Sequence, residues 1–139
     1  MKHGCVILAD VHHPMLEATQ GLLDTTFQTV VMVSSYESLL EASIKIRPEL
    51  IVADLSLPSA VGRKLLLKID KQLSDFKMII LGNYNETDIV GSIMKTGVRG
   101  YVLKRSTATD LLPAVDKVLN GETYLSPLVL SDVKQNRVK

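Results

Sequence analysis

The feature that most constrains the fold is a regular alternation of short apolar runs with longer segments of helical periodicity. Most runs are rich in β-branched residues and are apolar at every position rather than at alternate ones. This pattern is typical of strands covered by helices on both faces. The runs are Cys5–Ala9, Thr29–Val33, Leu50–Ala53, Met78–Leu81 and Tyr101–Leu103. Five such runs alternating with five amphipathic segments predict βαβ units and a parallel sheet.

The sequence pattern also predicts where the domain ends. Pro14 is well placed to begin the first helix, and Gly97 is well placed to end the fourth. The alternation stops after Gly121 and gives way to a polar tail. We therefore predict one domain over residues 1–126 and a tail or linker over residues 127–139.

The residues that end the strands carry the functional information, because ligands of open parallel sheets bind at the carboxyl ends of the strands. Asp10 follows the first run, Asp54 the third and Lys104 the fifth. We predict a flavodoxin-like (βα)5 three-layer α/β sandwich with strand order 2-1-3-4-5, which places Asp10 beside Asp54. Two carboxylates and one ammonium group suit a divalent cation and a phosphoryl group.

Charge and composition exclude several function classes. The formal net charge is +1, which gives no electrostatic footprint for nucleic acid or anionic membranes. The apolar runs are too short to span a bilayer, and the first residues lack the pattern of a secretory signal. The single cysteine, Cys5, cannot close an intrachain disulfide. These features indicate a cytoplasmic protein.

Sequence signals for an enzyme are weak. The turn after the first strand, Asp10–Met15, contains no glycine, which excludes a dinucleotide fingerprint and a P-loop. An aspartate-nucleophile phosphatase normally places a second Asp two residues after the first, whereas Ser56 follows Asp54 at that distance. His12 and His13 are adjacent loop residues, which favours solvated side chains over a transition-metal site. We expect no enzymatic activity.

Two segments at strand ends resemble those of a known family. The segment Asp54–Pro58 with Gly62 is similar to the DxxxPxxxG segment around the phosphoacceptor of response-regulator receiver domains, in the CheY-like superfamily. The segment Gly97–Lys104 resembles the family's fifth-strand segment, which carries a switch aromatic and a lysine. The resemblance extends over residues 6–119, and residues 121–127 resemble the receiver end of LuxR-type helix-turn-helix regulators.

The resemblance implies a role for each of these residues. Asp54 would accept a phosphoryl group from a sensor histidine kinase, forming an acyl phosphate. Mg²⁺ would be held by Asp10, Asp54 and the backbone carbonyl of Ser56. Lys104 would pair with a phosphoryl oxygen as a compact point charge.

The resemblance also implies a signalling surface. Tyr101 would change rotamer on phosphorylation. Alternatively, it could be an ordinary half-buried strand aromatic with a solvent-exposed hydroxyl. Its movement would reshape a surface made by α4 (around Ile89–Met94), β5 (Tyr101–Leu103) and α5 (Leu111–Leu119). This α4-β5-α5 face would meet a partner, and it could also form a homodimer.

Two positions depart from the family's pattern. A second acid usually follows the aspartate that ends the first strand, whereas this chain has Val11. The fourth strand usually ends in Ser or Thr, whose hydroxyl binds the phosphoryl group, whereas this chain has Gly82. Without this hydrogen bond, the phosphorylated state loses roughly 1.5 to 3 kcal/mol of stabilisation. We therefore expect a weakened magnesium and phosphoryl site and a weakened switch.

Two alternatives remain open at this stage. Val11 and Gly82 are compatible with a pseudo-receiver that acts as an interaction module independently of phosphorylation. The chain could also be the receiver half of a DNA-binding transcription regulator. About fourteen residues follow Leu125, too few for a helix-turn-helix domain, so we expect no direct nucleic acid binding by this chain.

Overall fold

The structure is a computed structural model that describes residues 2–11, 15–58, 71–83, 87–127 and 129. Its strands are β1 (His3–Ala9), β2 (Phe27–Val33), β3 (Leu50–Asp54), β4 (Met78–Gly82), β5 (Gly100–Leu103) and β6 (Tyr124–Leu125). Its helices are α1 (Leu16–Asp24), α2 (Tyr36–Ile46), α3 (Lys71–Ser74), α4 (Thr87–Met94) and α5 (Thr107–Leu119). A short 3-10 turn, Lys104–Ser106, connects β5 to α5.

The strands form one parallel sheet in the order β2-β1-β3-β4-β5-β6. The predicted order 2-1-3-4-5 is therefore confirmed, but the predicted number of five strands is wrong by one. In the additional strand β6, Tyr124 pairs with Gly100 and Leu125 pairs with Tyr101. A strand of two residues is too short to show any periodicity, and it forms because the edge of β5 offers unpaired backbone groups.

Helices cover both faces of the sheet, which gives the predicted three layers. Every residue of β3, β4 and β5 is buried, as their continuous apolar sequences predict. Alternate strand residues point into two separate apolar clusters. Ile7 and Ile51 belong to the cluster that also contains residues of α2 and α4, whereas Val6 and Val52 belong to the cluster that contains residues of α1 and α5.

Local signals determine where the helices begin and end. Ser35 caps the start of α2, where its hydroxyl accepts a hydrogen bond from the backbone N–H of Ser38 at 3.1 Å. Arg47 ends α2 in the left-handed region with φ of 52° because the following Pro48 disfavours the helical conformation there. Gly97, with φ of 97°, follows α4 as predicted. These sharp ends bring the chain back to begin the next parallel strand.

The segment after β6 is attached to β5. The backbone N–H of Ser126 donates to the carbonyl of Tyr101 at 3.1 Å, and the Ser126 hydroxyl accepts from the backbone N–H of Leu103 at 3.0 Å. Val129 is fully buried in the same cluster as Tyr101. The domain boundary at residue 126 stays a prediction, and Val129 shows that packing extends at least three residues beyond it.

Several sequence-based expectations lie outside the described residues. They concern His12, His13, Pro14, Gly62 and most of the tail predicted over residues 127–139, of which the structure describes residues 127 and 129. Within the ranges that the structure describes, no helix is both long and apolar enough to cross a membrane.

Candidate functional site

The carboxyl ends of three strands bring together the residues predicted to form the site. Asp54 is the last residue of β3, and Asp10 immediately follows β1. Ala9 and Ala53 are register partners on these neighbouring strands, so Asp10 and Asp54 leave the sheet side by side. Lys104 follows β5 and reaches the same place from two strands away.

The centre of the site is an ion pair between Asp54 and Lys104. The ammonium nitrogen Nζ of Lys104 lies 2.5 Å from Oδ2 of Asp54. The Asp54 side chain is 1% exposed, whereas the Lys104 side chain is 23% exposed. A buried carboxylate keeps its charge only when a counter-charge and hydrogen bonds replace its lost hydration, and Lys104 supplies both.

The turn after β3 fixes the other oxygen of Asp54. The backbone N–H and the hydroxyl of Ser56 both donate to Oδ1 of Asp54, each at 2.9 Å. The backbone N–H of Leu57 donates to the carbonyl of Asp54 at 3.0 Å, which closes the turn. Local sequence therefore orients the carboxylate, and the proposed role of the Ser56 carbonyl as a metal ligand stays a prediction.

The environment of Asp54 favours its ionised form. Burial alone raises the pKa of Asp54, but hydrogen bonds with Asp10, Lys104 and Ser56 outweigh burial and hold the pKa below its ordinary value. Asp10 is itself 3% exposed, so the two carboxyl groups share a buried pocket. Asp54 is therefore ionised at neutral pH.

We expect this ionisation to make the stability of the protein sensitive to acid. Because the folded-state pKa is lowered, Asp54 contributes stability that is present above the unfolded pKa of about 3.9 and is lost as the pH falls through the folded value. In urea titrations from about pH 5 to about pH 3, Asp54→Asn should lose stability less steeply, by at most about 1.4 kcal/mol per pH unit. Parallel pH profiles of the two proteins would contradict this expectation.

The oxygen donors of the site fit Mg²⁺. This ion binds through one or two carboxylates and keeps several waters, and Asp10 and Asp54 supply two carboxylates. Among the described residues, no group of three or more His, Cys, Asp and Glu side chains is arranged to hold a metal. Val11 follows Asp10 and is half-buried. The predicted weakening of the magnesium site stays a prediction.

Gly82 and Tyr101 pack directly on each other. A Cβ atom at position 82 would lie 2.4 Å from the phenolic oxygen of Tyr101 and 3.0 Å from two of its ring carbons. Tyr101 is 0% exposed, so the interpretation as a half-buried aromatic with a solvent-exposed hydroxyl is wrong. From the sequence, Gly82 indicated a missing hydroxyl and a weakened switch, but not a contact with Tyr101. A glycine in a buried strand was the available signal that another group approaches closely there.

The sequence matches a known family model and resembles two regulatory proteins. Residues 6–116 match the family model of the response regulator receiver domain. The chain is 27% identical over 126 residues to the transcriptional regulatory protein DegU of Brevibacillus brevis, which covers 89% of this chain and 53% of that protein. It is 34% identical over 94 residues to the oxygen regulatory protein NreC of Staphylococcus epidermidis, which covers 67% of this chain and 41% of that protein.

Solved structures share the fold. The RcsB response regulator of Salmonella typhimurium superposes with a TM-score of 0.85 at 23% identity, covering 96% of this chain and 68% of that chain. A LuxR-family two-component response regulator from Aurantimonas sp. SI85-9A1 superposes with a TM-score of 0.84 at 20% identity, covering 97% of this chain and 98% of that chain. The present chain spans about half the length of the curated relatives described above.

Proposed function

Because this chain belongs to the response regulator receiver domain family, we propose that Asp54 accepts a phosphoryl group from a sensor histidine kinase in a two-component pathway. The observation that carries the proposal is the ion pair of Lys104 with the buried Asp54, whose carboxylate also contacts Asp10. The chain would then transmit a signal rather than turn over a substrate.

The chemistry would be a phosphoryl transfer between two side chains. A carboxylate oxygen of Asp54 attacks phosphorus, and the bond from phosphorus to the imidazole nitrogen of the kinase breaks. The electron pair stays on the imidazole, and Asp54 becomes an acyl phosphate. The Lys104 ammonium group would leave Oδ2 of Asp54 and pair with a phosphoryl oxygen, because the negative charge moves to the phosphoryl group. A Mg²⁺ ion held by Asp10, Asp54 and the Ser56 carbonyl would neutralise charge on the transferred group.

Incubation with acetyl phosphate and Mg²⁺ tests this proposal without a kinase. We expect the intact mass of the wild-type protein to rise by one phosphoryl group, and no rise when Mg²⁺ is chelated. Asp54→Asn should abolish the rise because an amide is not a nucleophile here. Asp88→Asn, which changes an exposed acid in α4, is the matched control and should label like the wild type. An adduct that persists in Asp54→Asn would contradict the proposal.

A second candidate function is an interaction module that works without phosphorylation. Val11 and Gly82 favour it, because at these positions the chain lacks the second acid and the hydroxyl that usually hold the ion and the phosphoryl group in this family. This candidate predicts that millimolar Mg²⁺ shows no saturable binding. It also predicts that Asp54→Asn leaves partner binding unchanged.

We also propose that the chain is the receiver part of a longer transcription regulator. It covers 53% of DegU and 41% of NreC, and DegU is named as a transcriptional regulatory protein. DNA binding would then belong to a separate domain, and a cytoplasmic location would give access to both kinase and DNA. A homodimer through the α4-β5-α5 face would contact β6 at its edge, since β6 pairs with β5 there.

A further inference from the structure

We propose that the phenolic hydroxyl of Tyr101 is a ligand of the phosphoryl group on Asp54 and occupies the place of the side chain that Gly82 lacks. The inference rests on the proposed function, since it requires that Asp54 carry a phosphoryl group or an analogue of one. It assigns Tyr101 a direct binding role in addition to any role in a conformational switch.

The path of the Tyr101 side chain leads toward the site. The backbone of Tyr101 pairs with Ile80 in β4, yet its phenolic oxygen lies next to Gly82, two residues further along that strand. The side chain therefore runs diagonally across β4 toward the carboxyl ends of the strands. Leu81 pairs with Asp54, so Gly82 lies one residue beyond the backbone of Asp54 toward the carboxyl ends of the strands. Lys104, which follows β5, reaches Oδ2 of Asp54 across the end of β4, so a group attached to that oxygen would lie near Gly82.

The space for the hydroxyl exists only because residue 82 is glycine. The phenolic oxygen is 2.4 Å from the position of a Cβ atom at residue 82, a separation that real Cβ atoms do not adopt. Alanine or any larger residue would displace the fully buried ring of Tyr101. Gly82 thus removes one hydroxyl from the end of β4 and admits another in its place.

The chemistry of a phosphoryl group supports a donor on this side of the site. The group presents three strong acceptor oxygens. Lys104 approaches from β5, and a cation held by Asp10 and Asp54 approaches from β1 and β3. The end of β4 lies between these two sides. A phenol is a good donor, and its hydrogen bond to a charged oxygen is among the stronger ones in proteins.

Binding of beryllium trifluoride with Mg²⁺, a stable analogue of the phosphoryl group, tests the role of the hydroxyl. Tyr101→Phe removes only that oxygen and should weaken binding by about 10- to 100-fold in calorimetry. Tyr124→Phe is the matched control, because Tyr124 is half-buried and pairs with Gly100 at the opposite end of β5. It should bind like the wild type, and thermal melts should show that both variants fold.

A rescue experiment separates ligand chemistry from packing. Tyr101→Ala should lose affinity, and the double variant Tyr101→Ala with Gly82→Ser should recover most of it, because serine returns a hydroxyl to the vacated space. Wild-type affinity in Tyr101→Phe would overturn the inference and leave the proposed function intact. If the wild-type protein itself binds no beryllium trifluoride, both the inference and the proposed function are wrong.

Discussion

Replacing Lys104 with methionine should lower the free energy of unfolding by about 3 kcal/mol at neutral pH, because removing one partner of a buried ion pair leaves the other charge uncompensated. The carboxylate left behind is that of Asp54, whose side chain is 1% exposed and lies close to the carboxyl group of Asp10. Urea denaturation at pH 7 measures the loss. Labelling by acetyl phosphate should fall to background in the same variant.

An exposed ion pair in α2 provides the matched control. Lys45 and Glu41 lie 3.0 Å apart, but their side chains are 73% and 68% exposed. Lys45→Met should therefore change the free energy of unfolding by less than about 0.5 kcal/mol. Combining Lys104→Met with Asp54→Asn should recover part of the lost stability, since neither charge then remains. Equal effects of Lys104→Met and Lys45→Met would contradict the buried ion pair.

Replacing Val11 with aspartate should tighten Mg²⁺ binding by about 10- to 100-fold. At an effective dielectric near 20, a carboxylate about 4 Å from a dication gains roughly 8 kcal/mol, most of which is offset by dehydration of the ion and its ligands. Val11 is half-buried next to Asp10, so a new carboxylate there lies beside the proposed metal ligands. Titration with Mg²⁺, followed by calorimetry or amide chemical shifts, measures the change.

A control for this variant must add the same charge elsewhere. Gln28 is exposed near the start of β2, at the end of the sheet opposite the site. Gln28→Asp should leave Mg²⁺ affinity within about twofold of the wild-type value, because salt screens charges at that distance. If Val11→Asp binds Mg²⁺ no more tightly than Gln28→Asp, the ion does not bind beside Asp10.

The parallel sheet and the grouping of Asp10, Asp54 and Lys104 at one of its edges were predictable for a physical reason. Strands buried on both faces have continuous apolar sequences, and parallel strands place all their carboxyl ends at one edge. Asp10, Asp54 and Lys104, which follow three of the runs, therefore had to lie at the same edge of the sheet. The sequence alone could not predict β6, because pairing of Tyr124 and Leu125 depends on the free edge of β5 rather than on local pattern.

The orientation of Tyr101 was not predictable for a different reason. Its rotamer depends on the space available at Gly82, which is distant in sequence and adjacent only after the strands pair. The same holds for Ser126, whose hydroxyl accepts the backbone N–H of Leu103 across the sheet edge. Periodicity identifies which residues are buried, whereas such pairwise contacts between distant residues require the tertiary structure.

Identifying the residue that carries the phosphoryl group is the most direct test of the proposed role of Asp54. Borohydride reduces an acyl phosphate of aspartate to homoserine, which marks the residue permanently. After incubation with acetyl phosphate and Mg²⁺, reduction, proteolysis and peptide mass spectrometry, we expect homoserine at position 54 and at no other aspartate. Homoserine at another position, or its absence from a protein that has gained one phosphoryl mass, would contradict the role of Asp54.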